Sequence, residues 1–129
     1  MKANKIRITA NQLSQAAVKG MQEKKAHDIV VLDLTSVKNS VADYFVICSG
    51  TSDTHVDAIA DSVEREVYLQ AGQDPWHREG QQNKEWILLD YVDVVVHIFK
   101  KETREFYSLE DLWGDAVLTV VDAEDVRQH

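Results

Sequence analysis

The sequence predicts an α/β domain with a mixed sheet of four to five strands that is flanked by helices. Four short apolar runs are rich in β-branched residues, and the first two are unbroken rather than alternating, which is typical of strands covered on both faces. Helical patterns separate these runs, in the order helix, strand, strand, helix, strand, strand, helix. A chain of 129 residues is long enough for one domain of this kind.

The first predicted element is a helix over residues 9–24. Thr9 and Gln12 have the spacing of a capping box at the helix start. The apolar residues that follow recur at helical spacing and form one narrow stripe: Leu13, Ala16, Ala17 and Met21. Two strands follow this helix, over residues 29–32 and 44–48, with a polar connection between them.

The longest helix is predicted over residues 54–71. Thr54 and Asp57 fit a second capping box, and Gly72 suits the left-handed residue that ends many helices. Its apolar stripe consists of Val56, Ile59, Ala60, Val63 and Val67.

The second half of the chain predicts a β-hairpin. Its strands span residues 86–89 and 94–99, and the four residues 90–93 between them have the length of a hairpin loop. Residues 100–107 are predicted as a helix or a turn, and residues 117–121 as a short strand. We divide the chain into a basic N-terminal segment (1–8), the domain (9–114) and an acidic C-terminal tail (115–129).

The charge of the chain is unevenly distributed. Residues 1–25 have a net charge of +5 and residues 26–129 a net charge of −13, which together give −8. An acidic body is poorly suited to naked nucleic acid, because neutralising phosphates requires a basic face. It is better suited to a basic protein partner, which its field would attract.

The single cysteine, Cys48, excludes an internal disulfide and a zinc site built on cysteines. This cysteine usage predicts a reducing cytoplasm. No apolar run approaches the length of a spanning helix, and no apolar signal core follows the basic N-terminus. We therefore expect no association with a membrane.

One pattern allows an enzyme as the alternative function. The loop Ser49–Asp53 joins a strand to a helix start, where backbone amides can bind an anion. Together with Asp90, it suggests a nucleotide-binding enzyme of the nucleotidyltransferase class, in which carboxylates hold a metal ion. However, the phosphate-loop lysine, the G-x-G-x-x-G pattern and a D-x-D pair are all missing, so a tight capped turn is the favoured interpretation.

Aromatic and acidic residues are concentrated in the second half of the chain. They include the aromatic residues Trp76, Trp86, Tyr91, Phe99, Phe106, Tyr107 and Trp113, and six acids accompany them. An aromatic and acidic surface is typical of a face that binds a basic protein. The same aromatic residues equally suit a hydrophobic core, and the sequence alone does not choose between the two.

Six segments share the pattern of a known family, and they are residues 43–52, 55–61, 79–80, 86–91, 93–99 and 104–113. Four of them read DYFVICSGTS, WILLDY, DVVVHIF and REFYSLEDLW. In this order and at this spacing, over residues 9–114, they resemble the Iojap family, the ribosomal silencing factors.

The resemblance implies a nucleotidyltransferase-like fold without the catalytic carboxylates, and a function that is not enzymatic and uses no cofactor. It implies binding to a ribosomal protein on the inter-subunit face of the large ribosomal subunit. There the protein blocks association with the small subunit and represses translation under nutrient limitation, while organellar relatives assist large-subunit assembly. Family members are homodimers when free. With this partner, we expect the basic N-terminal segment to make a minor contact with rRNA.

The resemblance also implies which residues contact the ribosomal protein. Trp86, which opens the W-x-x-x-D strand, is the first choice. The acidic and aromatic pattern adds Asp90, Tyr91, Asp93, Tyr107 and Glu110. No catalytic, cofactor-binding or metal-binding residue is predicted.

One position departs from the family pattern. The family usually has glycine between the two acids of the hairpin loop, and this chain has Val92. Glycine at such a position suggests a positive φ, which a β-branched residue resists. Either the loop differs in this chain, or the position never needs a positive φ.

Overall fold

A computed structural model describes residues 8–80, 84–106 and 116–121 of the chain. Its elements are, in order, α1 (Ala10–Glu23), β1 (His27–Asp33), β2 (Tyr44–Gly50), α2 (Asp53–Ala71), β3 (His77–Glu79), β4 (Trp86–Asp90), β5 (Val94–Lys100), α3 (Lys101–Phe106) and β6 (Val117–Val121). The predicted α/β class and the predicted helices and strands are confirmed.

The six strands form one mixed sheet in the order β3-β4-β5-β2-β1-β6. The central pair, β2 and β5, is parallel, and every other neighbouring pair is antiparallel. The predicted count of four to five strands is too low, because β3 has no apolar residue to mark it. β3 is a three-residue edge strand, and such strands need no buried face.

The helices α1 and α2 pack against one face of the sheet and against each other. Gly20 makes their close approach feasible, since a Cβ atom at this position would lie 2.7 Å from the Cα atom of Val63. The hydroxyl of Ser62 donates a hydrogen bond to the carbonyl oxygen of Gly20 over 2.8 Å. The core on this face is mainly aliphatic and tightly packed.

The two helix starts differ in how well the sequence predicts them. The Thr9–Gln12 capping box is confirmed in both directions. The Thr54–Asp57 box is wrong: Ser52 is the N-cap, and its hydroxyl accepts a hydrogen bond from the His55 amide. Ser52 and Thr54 are both of residue types that favour N-caps, and the helix begins after Ser52, the one nearer the end of β2. Gly72 ends the helix with φ 64°, as predicted.

The opposite face of the sheet has a second, smaller cluster of buried side chains. Its members come from the strands and from the connection before β2: Val30, Leu32, Leu34, Ala42, Phe45, Ile47, Val95 and Phe99. Trp86 and Leu88 of β4 pack at its margin and are only partly buried. We call this side of the sheet the aromatic face, and the side under α1 and α2 the helix face.

Candidate functional site

Strand β4 presents alternate residues to the two faces of the sheet. Ile87 and Leu89 are fully buried under the helices, whereas Trp86, Leu88 and Asp90 are partly exposed on the aromatic face. In the sheet order, β4 is next to the edge strand β3. The predicted contact residues of this strand therefore form a strip that is accessible from one side of the sheet.

Trp86 is held firmly at the start of this strip. Its ring stacks on Phe99, with 4.9 Å between ring centroids and 29° between ring planes. Its indole N–H donates a hydrogen bond to Nδ1 of His97 over 3.1 Å. Trp86 thus supports the cluster beneath it and also exposes part of its ring, so it combines a packing role with a surface role.

His97 is a buried, neutral imidazole under Trp86. Only 5% of it is exposed, and this burial lowers its pKa to about 4. Since an indole N–H can only donate, Nδ1 of His97 is the acceptor and Nε2 carries the proton. Nε2 has no hydrogen-bond partner among the described residues.

The hairpin loop 90–93 is a tight turn with a strained centre. The Asp93 amide donates to the Tyr91 carbonyl over 3.0 Å, and Val92 has φ 76°, the pattern of a γ-turn with a left-handed central residue. A carboxylate oxygen of Asp90 accepts a hydrogen bond from the Val92 amide over 2.7 Å. Val92 therefore does adopt the positive φ that glycine would favour, at a cost in strain.

The two acids of the loop differ in accessibility. Asp90 is partly buried and holds the turn, whereas Asp93 is exposed. The backbone of Asp93 accepts hydrogen bonds from the amides of Asp43 and Tyr44. The loop is thereby tied to the start of β2, which fixes its backbone relative to the sheet.

Tyr91 requires a correction as a surface contact. Only 6% of it is exposed, because it belongs to the core of the helix face. Burial raises the pKa of its hydroxyl, and the nearby charges of Glu64 and Asp74 raise it further. This hydroxyl has no hydrogen-bond partner among residues 8–80, 84–106 and 116–121. The Tyr91 side chain packs in the core of the helix face, next to the turn, and is not accessible to a large partner.

The other predicted contacts are spread along the molecule or lie outside the described part. Trp86 pairs with Phe99 and Asp90 pairs with Val95, so the two predicted contacts lie at opposite ends of β4, about 13 Å apart. They do not form one compact cluster. Tyr107 and Glu110 lie outside the described residues.

The predicted contact residues do not include Trp76, an exposed aromatic residue beside this strip. Trp76 is 80% exposed, and its amide donates to the carbonyl of Asp90 over 2.7 Å. Val92, 59% exposed, lies in the same loop as Asp90. Trp76 follows Pro75 in a polar stretch without periodicity, so only its isolation from any apolar stripe could have indicated its exposure.

The alternative nucleotide site is not assembled. The Ser49–Asp53 loop follows the end of β2, where Gly50 pairs with Lys100, whereas Asp90 pairs with Val95. Five residues of β5 separate these positions, about 17 Å. The loop and Asp90 therefore lie toward opposite ends of the sheet.

The loop is also occupied by its own contacts. The Thr51 amide donates to Nδ1 of His55 over 2.9 Å, and the Asp53 carboxylate pairs with Lys100 over 2.9 Å. Among the described residues, no three His, Cys, Asp or Glu side chains come together as a metal site. Within the same residues, no helix has the length and apolarity needed to cross a membrane.

Comparison with known proteins gives a consistent result. The sequence profile of the family described as "Ribosomal silencing factor during starvation" matches residues 7–129. The protein named ribosomal silencing factor RsfS of Bacillus subtilis is 44% identical over 118 residues, which are 89% of this chain and 96% of that protein. The crystal structure of protein CV0518 from Chromobacterium violaceum matches with a TM-score of 0.77 and 32% identity, covering 90% of this chain and 96% of that one.

An organellar protein is also similar. The mouse protein named mitochondrial assembly of ribosomal large subunit protein 1 is 36% identical over 95 residues. The match covers 72% of this chain and 41% of the mouse protein. The similarity thus extends from bacterial proteins to a mitochondrial one.

Proposed function

The chain belongs to the family of ribosomal silencing factors, and from this we propose that it binds the large ribosomal subunit and prevents the small subunit from joining. This membership is the observation that supports the proposal most directly. The name of the mouse relative supports the large subunit as the partner and, as a related role, large-subunit biogenesis. Repression of translation under nutrient limitation follows, in the cytoplasm, where the subunits associate.

The proposed action is steric exclusion. It requires a surface that binds one subunit tightly and a domain whose bulk occupies the joining face. It requires no catalytic residue and no cofactor, which agrees with the separation of the Ser49–Asp53 loop from Asp90. We therefore propose a regulator rather than an enzyme.

The proposed binding surface is the exposed strip of β4 with the following loop. Trp86 and Leu88 offer partly exposed apolar area, and the carboxylates of Asp90 and Asp93 offer negative charge beside it. A basic ribosomal protein complements both features, since buried aromatic anchors supply affinity and charge supplies orientation and rate. Tyr107 and Glu110 remain part of the proposal.

Two further parts of the proposal concern the ends of the chain and its oligomeric state. The basic residues of the N-terminal segment, Lys2, Lys5 and Arg7, would contact rRNA near the docking site. The free protein would be a homodimer. We keep the proposed division into residues 1–8, 9–114 and 115–129.

Charge reversal on the exposed strip tests the binding surface. Asp93→Lys changes an exposed side chain, and its backbone contacts with residues 43 and 44 do not depend on the carboxylate. We expect co-sedimentation with purified large subunits to weaken at least tenfold, because a lysine would face a basic partner. Light scattering of subunit mixtures should then show that association with small subunits is restored.

The control is Glu23→Lys, which makes the same charge change at an exposed position at the end of α1. It should bind within twofold of wild type. Asp90→Asn adds a finer test, because it removes the charge and keeps the oxygen that accepts the Val92 amide. If wild type does not sediment with large subunits, the function is wrong; if Asp93→Lys binds like wild type, only the surface is wrong.

A further inference from the structure

Trp76 and Val92 are an exposed apolar pair, and both are bound to Asp90. The Trp76 amide donates a hydrogen bond to the Asp90 carbonyl over 2.7 Å, and the Val92 amide donates to the Asp90 carboxylate over 2.7 Å. Trp76 is 80% exposed and Val92 is 59% exposed. Large apolar side chains that are grouped at the surface commonly mark an interaction site.

Val92 occupies its position at a cost to the fold. Its φ of 76° is unfavourable for a β-branched residue, and its exposed side chain gains little from burial. Glycine would adopt the same turn without strain, so stability gives no reason for valine here. Strain that packing does not explain is concentrated at functional positions. Binding therefore explains the exposed valine better than folding does.

The surroundings of this pair are acidic. The Asp43 amide donates to the carbonyl of Asp93 over 2.8 Å, so the connection before β2 joins the same end of the sheet. Arg78 of the neighbouring strand β3 is held by carboxylates of α2. Four aspartates and no lysine, arginine or histidine are present in the three segments that meet at this end, which are residues 41–44, 74–76 and 90–93.

We propose that the exposed pair and its aspartates bind the side chain of a lysine or arginine of the basic ribosomal protein. The aliphatic stem of that side chain would pack against Val92, and its charge would lie over the ring of Trp76. The carboxylates of Asp90 and Asp93 would balance the charge. We call these four residues the loop-end site. The proposal rests on the proposed function and deepens it, because it names the kind of partner side chain that this end of the strip recognises.

A cationic side chain fits the loop-end site better than three other occupants do. A second copy would bring the same aspartates against this surface, and like charges repel each other. An rRNA base would stack on Trp76, but its phosphates would meet aspartates without any lysine or arginine in the three segments. An uncharged apolar side chain would use the ring and would leave the carboxylates desolvated without a partner.

The position of the site adds a second contact at a distance from Trp86. Trp86 pairs with Phe99 and Asp90 pairs with Val95, so about 13 Å of β4 separate the two ends of the strip. A partner that is held at Trp86 alone can rotate about that contact. A partner that is also held at the loop-end site has a fixed orientation, which steric exclusion of the small subunit requires.

Substitutions at Trp76 test the site without disturbing the fold, because the hydrogen bond to Asp90 uses only the backbone amide. Trp76→Ala should lower the affinity for purified large subunits about tenfold. Trp76→Phe keeps a ring and should lose less than threefold. Trp76→Leu keeps apolar area without a π system, so it should lose nearly as much as alanine.

Val120→Ala is the matched control for these variants. Val120 is an apolar residue with 69% exposure, and it lies on β6, four strand spacings from β4. Its affinity for large subunits should remain within twofold of wild type. Melting temperatures of all variants should stay close to that of wild type, since the side chains are exposed in the free protein.

Val92→Gly separates binding from stability. Removal of the strain should not lower the melting temperature. The affinity for large subunits should nevertheless fall about threefold, because the aliphatic stem of the partner side chain loses its contact. A purely structural valine would not give weaker binding in a protein that is at least as stable.

Photocrosslinking identifies the occupant of the site. With p-benzoylphenylalanine at position 76, irradiation of the complex with large subunits should attach the chain to one ribosomal protein. Mass spectrometry should place the attachment at or next to a lysine or arginine. The same amino acid at position 120 is the control and should give at least tenfold less of this product.

The outcomes separate this inference from the proposed function. If wild type does not bind large subunits, both are wrong. If wild type binds and Trp76→Ala or Trp76→Leu binds equally well, only the loop-end site is wrong. Crosslinks from position 76 that reach only rRNA or a second copy would also overturn it, and an unchanged affinity of Val92→Gly would remove Val92 from the site.

Discussion

The two faces of the sheet are covered by different kinds of side chain. The helix face is mainly aliphatic, and its helices approach so closely that Gly20 has no room for a methyl group. The aromatic face buries His97 between rings and leaves Trp86 partly exposed. On the first face, α1 and α2 cover the core side chains of the sheet. The second face holds the ring of Trp86 in a fixed position at the surface. Rigid, exposed aromatic rings of this kind serve as anchors in protein interfaces.

Gly20→Ala should have the largest effect, and it tests the helix face. Its Cβ atom would lie 2.7 Å from a backbone carbon of Val63, so the helices must move apart. We expect a loss of about 3 kcal/mol in the free energy of unfolding. Urea unfolding measures it, with Glu23→Ala at an exposed position of α1 as the control. A loss below 1 kcal/mol would mean that the two helices are not closely packed.

Acidification should lower the stability of the protein mainly through His97 on the aromatic face. His97 has a pKa of about 4 when folded and an ordinary value near 6.5 when unfolded, because burial disfavours its charged form. Between these values only the unfolded chain binds the proton, so stability falls as the pH falls from 6.5 to 4. The loss should reach about 2 to 3 kcal/mol.

Urea unfolding at several pH values should show this slope in wild type. His97→Leu should lose the part of the slope that belongs to this residue. An unchanged slope in the variant would show that other groups cause the acid sensitivity. The helix face should respond to alkali instead, because burial raises the pKa values of Cys48 and Tyr91. There the unfolded chain releases protons first, so stability falls as the pH rises.

Trp86→Phe should separate the packing role of this residue from its surface role. Phenylalanine keeps a ring over Phe99 but cannot donate to Nδ1 of His97. Leaving this buried acceptor unpaired should cost about 1.5 kcal/mol of stability. Thermal unfolding measures this cost, and co-sedimentation with large subunits measures the effect on binding. No loss of stability would imply that the indole hydrogen bond is dispensable.

Val92→Gly should have the smallest effect and the opposite sign. The residue has φ 76° in the turn that joins β4 and β5, and glycine adopts this conformation without steric cost. Relief of the strain outweighs the greater freedom of glycine in the unfolded chain, for a net gain of about 1 kcal/mol. The melting temperature should rise, while an exposed control, Val41→Gly, should not raise it. A fall for Val92→Gly would mean that valine fits the turn.

Hydrophobic runs in the sequence made most of the helices and strands of this fold predictable. The features that depend on how strands pair in three dimensions could not be predicted from these runs. The strands β2 and β5 are visible in the sequence because both of their faces are buried. The polar edge strand β3 is not, since nothing requires it to be apolar. Resemblance indicated Trp86 as a contact, but its bond to His97 depends on the β4–β5 register. The burial of Tyr91 depends likewise on how the turn places its side chain.

The pairing of β6 with β1 has a consequence for how the chain is made. Asp33 pairs with Val117 and Ile29 with Val121, so β6 joins the sheet only after residues 117–121 have been synthesised, long after β1. Until then, one edge of β1 has no neighbour and is open to pairing with other nascent chains. Contacts this distant in sequence also slow folding. β6 therefore closes the edge that β1 leaves open, and a truncation before residue 117 should lower the soluble yield.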